Sequence, residues 1–279
     1  MEGGALRGHV SLTYRTEDER RRAMVGFLTA GLERGERLLY VAADPDRDLR
    51  ALEAGAFRVA DFVREGRLAV ASTAEAYFRG GAFDADARVR AFAEEVDGAM
   101  RAGFSGLCIA ADATAILEHP TARDTWTAYE LRADLLATRL PFAALCAYDE
   151  RRSDPRLLAE VDAVHRHRSG GSPKAAPFRL HAEADRLVLE GEVDLTCADR
   201  VRELLASAGR DLGRLPVDIS GLAFADVAGI RALVAASRQA PVQLLGASPT
   251  FRRAWAALDC DGLDTIRLAD REASGGEAT

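Results

Sequence analysis

Apolar positions in the first half of the chain alternate between the repeat of a strand and the repeat of a helix. Five short apolar segments are predicted to be strands, at residues 9–14, 38–42, 68–71, 107–111 and 142–148. Helical spacing between and after them predicts helices that begin near Thr16, Asp44, Asp84, Thr121 and Pro155. Strands that alternate with helices of ten or more residues indicate a mainly parallel sheet covered on both faces, a three-layer α/β domain. Ligands of such sheets tend to bind beyond the carboxyl ends of the strands.

Local signals support several of these helix boundaries. Thr16 stands three residues before Glu19, which is the spacing of a capping box at a helix start. Asp44 precedes a proline, the usual order of an N-cap and a first helical residue. Pro141 ends the helix predicted over residues 121–140, and the helix that begins at Pro155 is predicted to reach His167.

The second half of the chain has a different order of elements. Residues 178–182 and 187–194 flank a short polar turn, which predicts a β-hairpin. Further strands are predicted at 217–220, 242–245 and 266–268, the last at a sheet edge. Helices are predicted to begin near Thr196, Asp226 and Ser248, and residues 222–226 are predicted to form a loop. This half is therefore predicted to be a second α/β domain.

The composition changes where the two patterns meet. Residues 169–177 are rich in Ser, Gly and Pro and lack apolar periodicity, so they are predicted to be a flexible linker. The domains are accordingly placed at 8–168 and 178–270, and residues 271–279 are predicted to be a disordered tail. A chain of 279 residues with 48% hydrophobic content is long enough to build two separate cores.

Charge and cysteine content exclude several classes of function. The net charge of −7 argues against direct binding to a nucleic-acid backbone. The sequence contains no run of eighteen apolar residues and no signal-peptide pattern at its start, so no membrane association is expected. The cysteines are scattered and predict reduced structural thiols in the cytoplasm, without disulfides or thiolate metal sites: Cys108, Cys146, Cys197 and Cys260.

Lysine usage excludes a large class of enzymes. Lys174 is the only lysine, and it does not stand in the Gly-x-x-x-x-Gly-Lys-Ser/Thr sequence with which a P-loop holds nucleotide phosphates. The sequence shows no other nucleotide-binding or metal-binding constellation. We therefore expect no catalytic residue, no cofactor and no metal, and we expect that the protein is not an enzyme.

Several phrases in residues 9–168 resemble MEDS domains, bacterial sensory modules related to RecA-like folds. They are Gly8-His9 with Leu12 and Tyr14, residues 31–37, Tyr129-Glu130, residues 146–152, and His165. The resemblance implies an N-terminal domain that senses a small, often hydrocarbon-derived molecule. It also implies candidate pocket residues: Tyr14, Arg15, Cys108, Asp112, Glu130, Cys146, Tyr148, Asp149 and His165. One departure is Cys108, which stands where the family commonly has arginine.

Residues 177–268 resemble STAS domains of the anti-sigma factor antagonist type. The phrases that carry this resemblance are residues 189–195, residues 218–222, Asp226-x-x-Gly229 and residues 258–263. In that family the loop reads Asp-Ser-Ser-Gly, and a partner kinase phosphorylates the second serine. Here Val227 and Ala228 replace the serines, so Ala228 marks a degenerate phosphosite. The resemblance implies a surface that binds a serine-kinase-type anti-sigma factor or another STAS-binding protein: Asp194, Ser220, Asp226, Val227, Ala228, Gly229 and Arg231.

Each of these residues also has a simpler interpretation. Asp226 is a typical helix N-cap, and the Val227-Ala228 pair is equally consistent with an interface that no longer binds a kinase. Ser220 and Thr196 are either substitute phosphosites or local hydrogen-bonding residues of turns. Glu130 is either a pocket residue or a solvated carboxylate on a helix surface, and Cys146 and Tyr148 also suit core packing. His165 and His167 are predicted to face different sides of a helix as solvated residues that share no metal.

Together these observations predict a cytoplasmic regulatory protein that acts by protein–protein binding. The first domain is predicted to bind a small molecule or a partner, and the STAS domain to carry the output without phosphorylation. A ligand can control such an output only if its affinity differs between two arrangements of the protein. A non-catalytic scaffold is the main alternative, because STAS units that assemble would equally tolerate a degenerate loop. A nucleotide-binding enzyme is a weaker alternative.

Overall fold

A computed structural model of the chain describes residues 8–54, 57–170 and 175–270. It divides into two compact units, with the boundary between Ala176 and Pro177, and each unit is described by itself. Residues 171–174 of the predicted linker and the predicted tail at 271–279 lie outside the described residues. Within the described residues, none of the helices has the length and apolar character that crossing a membrane requires.

The first unit is a parallel sheet whose described strands alternate with helices. The strands are β1 (His9–Tyr14), β2 (Arg37–Ala42), β3 (Leu68–Ser72), β4 (Leu107–Asp112), β5 (Phe142–Asp149) and β6 (His167–Ser169). The helices are α1 (Glu17–Glu33), α2 (Pro45–Ala54), α3 (Val59–Arg64), α4 (Thr73–Tyr77), α5 (Ala85–Arg101), α6 (Thr114–Leu117), α7 (Trp126–Arg139) and α8 (Pro155–Val164). The strand order is β3-β2-β4-β5-β1-β6, and every neighbouring pair is parallel.

Both faces of this sheet are covered, as the apolar strands predict. One core contains alternate residues of β4 and β5, including Ile109 and Cys146, with Phe92 of α5 and Trp126 of α7. The opposite core contains the intervening residues of the strands with Leu28 and other residues of α1. All eight residues of β5 are buried, which is expected for a central strand between two helical layers. The predicted three-layer α/β class is confirmed.

Two of the predicted helix boundaries in this unit require correction. The helix predicted over 121–140 begins at Trp126. The helix predicted to reach His167 ends at Val164, and His165 takes an extended backbone with φ −99° and ψ 131°. Residues 167–169 then pair with β1 as the edge strand β6. The capping box at α1 is confirmed, since Thr16 Oγ1 accepts a hydrogen bond from the backbone N–H of Glu19 at 3.2 Å.

The second unit has a mixed sheet. Its described strands are β7 (Phe178–Glu183), β8 (Arg186–Val193), β9 (Leu215–Asp218), β10 (Leu222–Ala225), β11 (Val242–Leu245) and β12 (Ile266–Ala269). Its described helices are α9 (Ala198–Leu212), α10 (Val227–Ala236) and α11 (Pro249–Ala257). The predicted hairpin is confirmed as the antiparallel pair β7–β8, and the remaining pairs are parallel in the order β10-β8-β9-β11-β12. The predicted loop at 222–226 contains the edge strand β10, so it is more regular than expected.

Candidate functional site

Four buried side chains meet inside the first unit: His9, Glu130, Cys146 and His165, called here the quartet. Glu130 Oε2 lies 2.8 Å from His9 Nε2 and 3.3 Å from His165 Nε2. Cys146 Sγ lies 3.4 Å from His9 Nε2 and 3.6 Å from Glu130 Oε2. None of the four residues is more than 6% exposed. A carboxylate, a thiol and two imidazoles therefore converge on one point in the core.

Sheet register and helix packing bring the quartet together. His9 opens β1 and is opposite Ala144 of β5, so Cys146 lies two residues further along β5 on the same face as Ala144. Glu130 lies in the second turn of α7, which covers that face. His165 reaches the same point because α8 ends one residue before it. Four separate elements thus contribute one ligand-type atom each.

A second layer of hydrogen bonds orients the quartet. Tyr148 donates its hydroxyl to Glu130 Oε1 at 3.0 Å and accepts the indole N–H of Trp126 at 3.0 Å. The Nδ1 atom of His165 lies 2.8 Å from the carbonyl oxygen of Val161. Because a carbonyl only accepts, His165 donates through Nδ1, and its Nε2 faces Glu130. These outer hydrogen bonds therefore fix which oxygen of Glu130 and which nitrogen of His165 face the centre of the quartet.

Burial and close partners shift the ionisation of these groups. Burial by itself would raise the pKa of Glu130, but hydrogen bonds from His165 and His9 outweigh it and lower that pKa to about 2. Burial would lower the pKa of His9, but Cys146 and the nearby carboxylates hold it well above its usual value. Burial and the neighbouring imidazole of His9 would lower the pKa of His165. Hydrogen bonds to Cys146 and Glu130 outweigh both effects and raise this pKa to about 9. The carboxylate of Glu130 is therefore ionised at neutral pH.

These positions correct two of the sequence interpretations. Glu130 is not a solvated carboxylate, because both it and His165 have no exposed surface. His165 is not a solvated helical residue, since it has left the helix before the edge strand begins. Sequence analysis did not assign His9 to the site. Its one signal was the Gly8-His9 pair at the start of a buried strand.

The other residues assigned to a sensory pocket lie elsewhere in the unit. Tyr14 donates its hydroxyl to Asp112 at 3.1 Å, at the carboxyl ends of β1 and β4. Burial and then the charge of Asp112 raise the pKa of Tyr14 above its usual value. This pair continues into a partly buried ion-pair network, because Arg20 lies 3.3 Å from Asp112 and 2.7 Å from Asp48. The network ties α1 and α2 to the strand ends.

Three remaining candidates make contacts away from the quartet. Cys108 lies in the opposite core, with Sγ 3.7 Å from the carbonyl oxygen of Phe27, and burial raises its pKa. Arg15 forms an exposed ion pair with Glu150 at 2.6 Å. The hydrogen bond from Arg151, at 2.7 Å, is the main cause that lowers the pKa of Asp149. Of the nine candidates, the structure brings four together at the quartet or its outer bonds: Glu130, Cys146, Tyr148 and His165.

An open cleft of about 600 Å³ lies on the same unit, away from the predicted pocket residues. Leu39, Leu107 and Tyr77 give it an apolar wall, and Arg88 and Glu95 lie at its polar side. Arg88 bonds Glu95 at 2.9 Å and stacks over the ring of Phe92 at 3.7 Å, so its charge is held in place. This volume is in the range of small-molecule sites.

In the second unit, Asp226 joins two segments at the start of α10. Its Oδ1 accepts the backbone N–H of Gly229 at 2.8 Å, which makes Asp226 the N-cap of α10. Its Oδ2 accepts the backbone N–H of Leu195 at 3.0 Å, in the segment between β8 and α9. The carboxylate therefore holds the loop before α9 against the start of α10. The N-cap interpretation of Asp226 is confirmed.

Three apolar side chains next to this joint are exposed: Leu195, Phe224 and Val227, called here the apolar rim. Their exposed fractions are 79%, 50% and 47%. Ile230 and Leu222 are buried and pack inward, so they do not contribute. Arg231 is also exposed, whereas Gly229 is buried and Ala228 half-buried.

Thr196 and Ser220, the two alternative phosphosites, lie in hydrogen-bonded turns. The hydroxyl and the backbone N–H of Thr196 donate hydrogen bonds to Asp194 Oδ1 at 2.6 and 2.9 Å. These two bonds lower the pKa of Asp194. Ser220 is exposed, and its backbone N–H donates to Asp218 at 2.9 Å. Ala228, at the position predicted to be a degenerate phosphosite, has no hydroxyl.

Comparison with known proteins gives a family for each unit. The sequence model of the family described as "MEDS: MEthanogen/methylotroph, DcmR Sensory domain" matches residues 8–166. The model of the family described as "Mlab, STAS domain" matches residues 177–268. A solved structure of the anti-sigma factor antagonist SpoIIAA in its unphosphorylated form is similar at 20% identity, over 35% of this chain and 89% of that chain, with a TM-score of 0.27. No curated protein matches the chain.

Proposed function

Because the chain belongs to the MEDS family of sensory domains and continues into a STAS domain, we propose that it is a non-enzymatic regulator. The second unit carries the output by binding another protein at the surface around Asp226. The apolar rim is the observation that supports this proposal. Leu195, Phe224 and Val227 are exposed next to the joint at Asp226, and apolar patches rimmed by polar residues are typical of docking surfaces. The proposed partner is an anti-sigma factor of the serine-kinase type.

The start of α10 suits a protein–protein contact that is not regulated by phosphorylation. A phosphoryl group there would add nearly two negative charges beside Asp226 and change any docking surface. Ala228 cannot accept one, and the neighbouring Val227 extends the apolar surface instead. The surface thus keeps the form that corresponds to an unphosphorylated antagonist. Control of the output is assigned to the first unit, which binds a small molecule, with the cleft beside Tyr77 as the proposed site.

We expect no phosphate on the second unit after incubation with serine-kinase-type anti-sigma factors and ATP. The reason is the missing hydroxyl at Ala228. Intact-mass spectrometry measures the result, and a STAS protein with the Asp-Ser-Ser-Gly loop serves as the positive control. The variant Ala228→Ser is expected to gain one phosphate with a kinase that docks. A stoichiometric phosphate on the unmodified chain, at Ser220 or Thr196 for example, would contradict the proposal.

Charge placed on the apolar rim is expected to prevent binding of the partner. The double variant Phe224→Asp and Val227→Asp should weaken binding at least about 30-fold, because buried apolar anchors dominate protein interfaces. Titration calorimetry with the anti-sigma factor measures the affinity. Leu263→Asp is the matched control, since Leu263 is an exposed apolar residue of the same unit at 38% exposure. Equal effects of the two changes, or rim-dependent self-association without partner binding, would favour a scaffold role.

A further inference from the structure

The quartet has the donor set of a transition-metal site. We infer that His9 Nε2, Glu130 Oε2, Cys146 Sγ and His165 Nε2 together bind one divalent d-block cation, with Zn²⁺ as the representative ion. Imidazole nitrogen, thiolate sulfur and a carboxylate oxygen are the ligands that zinc uses in proteins. Ca²⁺ and Mg²⁺ prefer oxygen ligands, so they do not fit this set. The inference concerns the first unit alone and is independent of any partner of the second.

The spacing of the donor atoms fits a tetrahedral ion. Zinc bonds of about 2.0–2.3 Å place neighbouring tetrahedral ligands about 3.3–3.8 Å apart. Three of the six separations between these atoms are 3.3, 3.4 and 3.6 Å. The fourth, from His9 Nε2 to Glu130 Oε2, is 2.8 Å and has to open by a few tenths of an ångström. All four ligand atoms lie within 4.8 Å of one another, so side-chain shifts of at most about 1 Å complete the shell.

Two of the four side chains, His165 and Glu130, have the outer hydrogen bonds that metal ligands require, and His9 has a longer outer contact. A ligating histidine presents one nitrogen to the ion and donates the other N–H to a carbonyl or a carboxylate. His165 does this with the carbonyl of Val161 at 2.8 Å. On the other imidazole, Nδ1 of His9 lies 3.6 Å from Asp134 Oδ1. Tyr148 holds the second oxygen of Glu130, which leaves Oε2 for the ion.

A bound divalent cation and its protein ligands would carry no net charge together. A thiolate and a carboxylate together neutralise a divalent cation, so the core would enclose no net charge. Binding displaces the thiol proton of Cys146 and the Nε2 protons that His9 and His165 donate to Glu130, because a ligating histidine is neutral. A nucleophilic role for that thiol has little support, because the quartet is buried and a substrate has no access to it. Four protein ligands also leave no open position for a water or a substrate, as in structural zinc sites.

The test uses the full chain, stripped with a chelator and then titrated with Zn²⁺ or Co²⁺. We expect one ion per chain by elemental analysis, a higher unfolding temperature with Zn²⁺, and tetrahedral d–d absorption together with a thiolate charge-transfer band with Co²⁺. X-ray absorption of the zinc-loaded protein should show one sulfur and three nitrogen or oxygen ligands. Failure to bind stoichiometric metal, or a shell without sulfur, would overturn the inference.

Two cysteine variants make the test residue-specific. Cys146→Ser should lose the charge-transfer band and bind metal at least about 10-fold more weakly. Cys108→Ser is the matched control, because Cys108 is equally buried and lies on the neighbouring strand β4, in the opposite core. Equal metal affinity in the two variants would refute the site. If Cys146→Ser does not fold, the X-ray absorption of the unmodified protein decides the question by itself.

Discussion

Replacing Glu130 by alanine is expected to lower the free energy of unfolding of the first unit by about 3–5 kcal/mol in chelator-treated protein. The carboxylate accepts from Tyr148 at 3.0 Å and lies 2.8 Å from His9 and 3.3 Å from His165, all inside the core. Its removal leaves two imidazoles and a hydroxyl buried without their main partner. Urea denaturation followed by circular dichroism measures the loss, and hydrogen–deuterium exchange with mass spectrometry assigns it to the first unit.

Two variants distinguish lost interactions from a general loss of packing. Glu130→Gln keeps the shape and an acceptor oxygen, so it is expected to cost less than Glu130→Ala. Glu94→Ala removes an exposed carboxylate from α5 and should change stability by less than about 0.5 kcal/mol. A Glu130→Ala protein as stable as the Glu94→Ala control would show that the quartet contributes nothing to folding.

Gly229→Ala is expected to destabilise the second unit by about 3 kcal/mol. A Cβ atom at this position would lie 2.3 Å from the carbonyl oxygen of Val193, which is backbone and cannot turn aside. The start of α10 would have to move away from β8. That movement would also disturb the 2.8 Å bond from the Gly229 N–H to Asp226, and with it the joint to Leu195. Thermal and urea unfolding of the full chain measure the loss of stability. Hydrogen–deuterium exchange with mass spectrometry assigns this loss to the second unit.

Gly262→Ala is the matched control for that change. Gly262 lies in the same unit, and nothing is found within 4 Å of the Cβ it would gain. We expect a change in stability within about 0.5 kcal/mol, because this substitution leaves packing intact. If Gly229→Ala also left stability unchanged, α10 could not approach β8 as closely as the structure places it. The geometry assigned to the apolar rim would then be incorrect as well.

The long elements of the fold were predictable because each contains enough residues to show its own period. Strands such as β5, with eight residues, and helices such as α5, with seventeen, were placed to within two residues. The elements that sequence analysis missed are three to six residues long, which is too short for a repeat to appear: α3, α4, α6, β6 and β10. Helix α4 did carry a local signal, since Ser72 and Glu75 form a capping box.

The surface around Asp226 was predictable in position but not in exposure. The resemblance placed the loop before α10, and Asp226 caps that helix as its residue type favours. Which apolar residues face solvent depends on packing against α9 and β8. Phe224 and Val227 are therefore exposed while Ile230, three residues further, is buried.

The sequence by itself determined the two α/β units, the parallel layout of the first and the absence of a hydroxyl at Ala228 of the second, because these follow from local periodicity and residue identity. The family resemblance put Glu130, Cys146 and His165 among nine candidate pocket residues, but only the tertiary structure selected these three, added His9 and brought all four to one point. Their meeting depends on the pairing of β1 with β5, on the position of α7 over that pair and on the end of α8 at Val164. Long-range contacts of this kind leave no repeat in a single sequence, so the buried quartet was decided by packing alone.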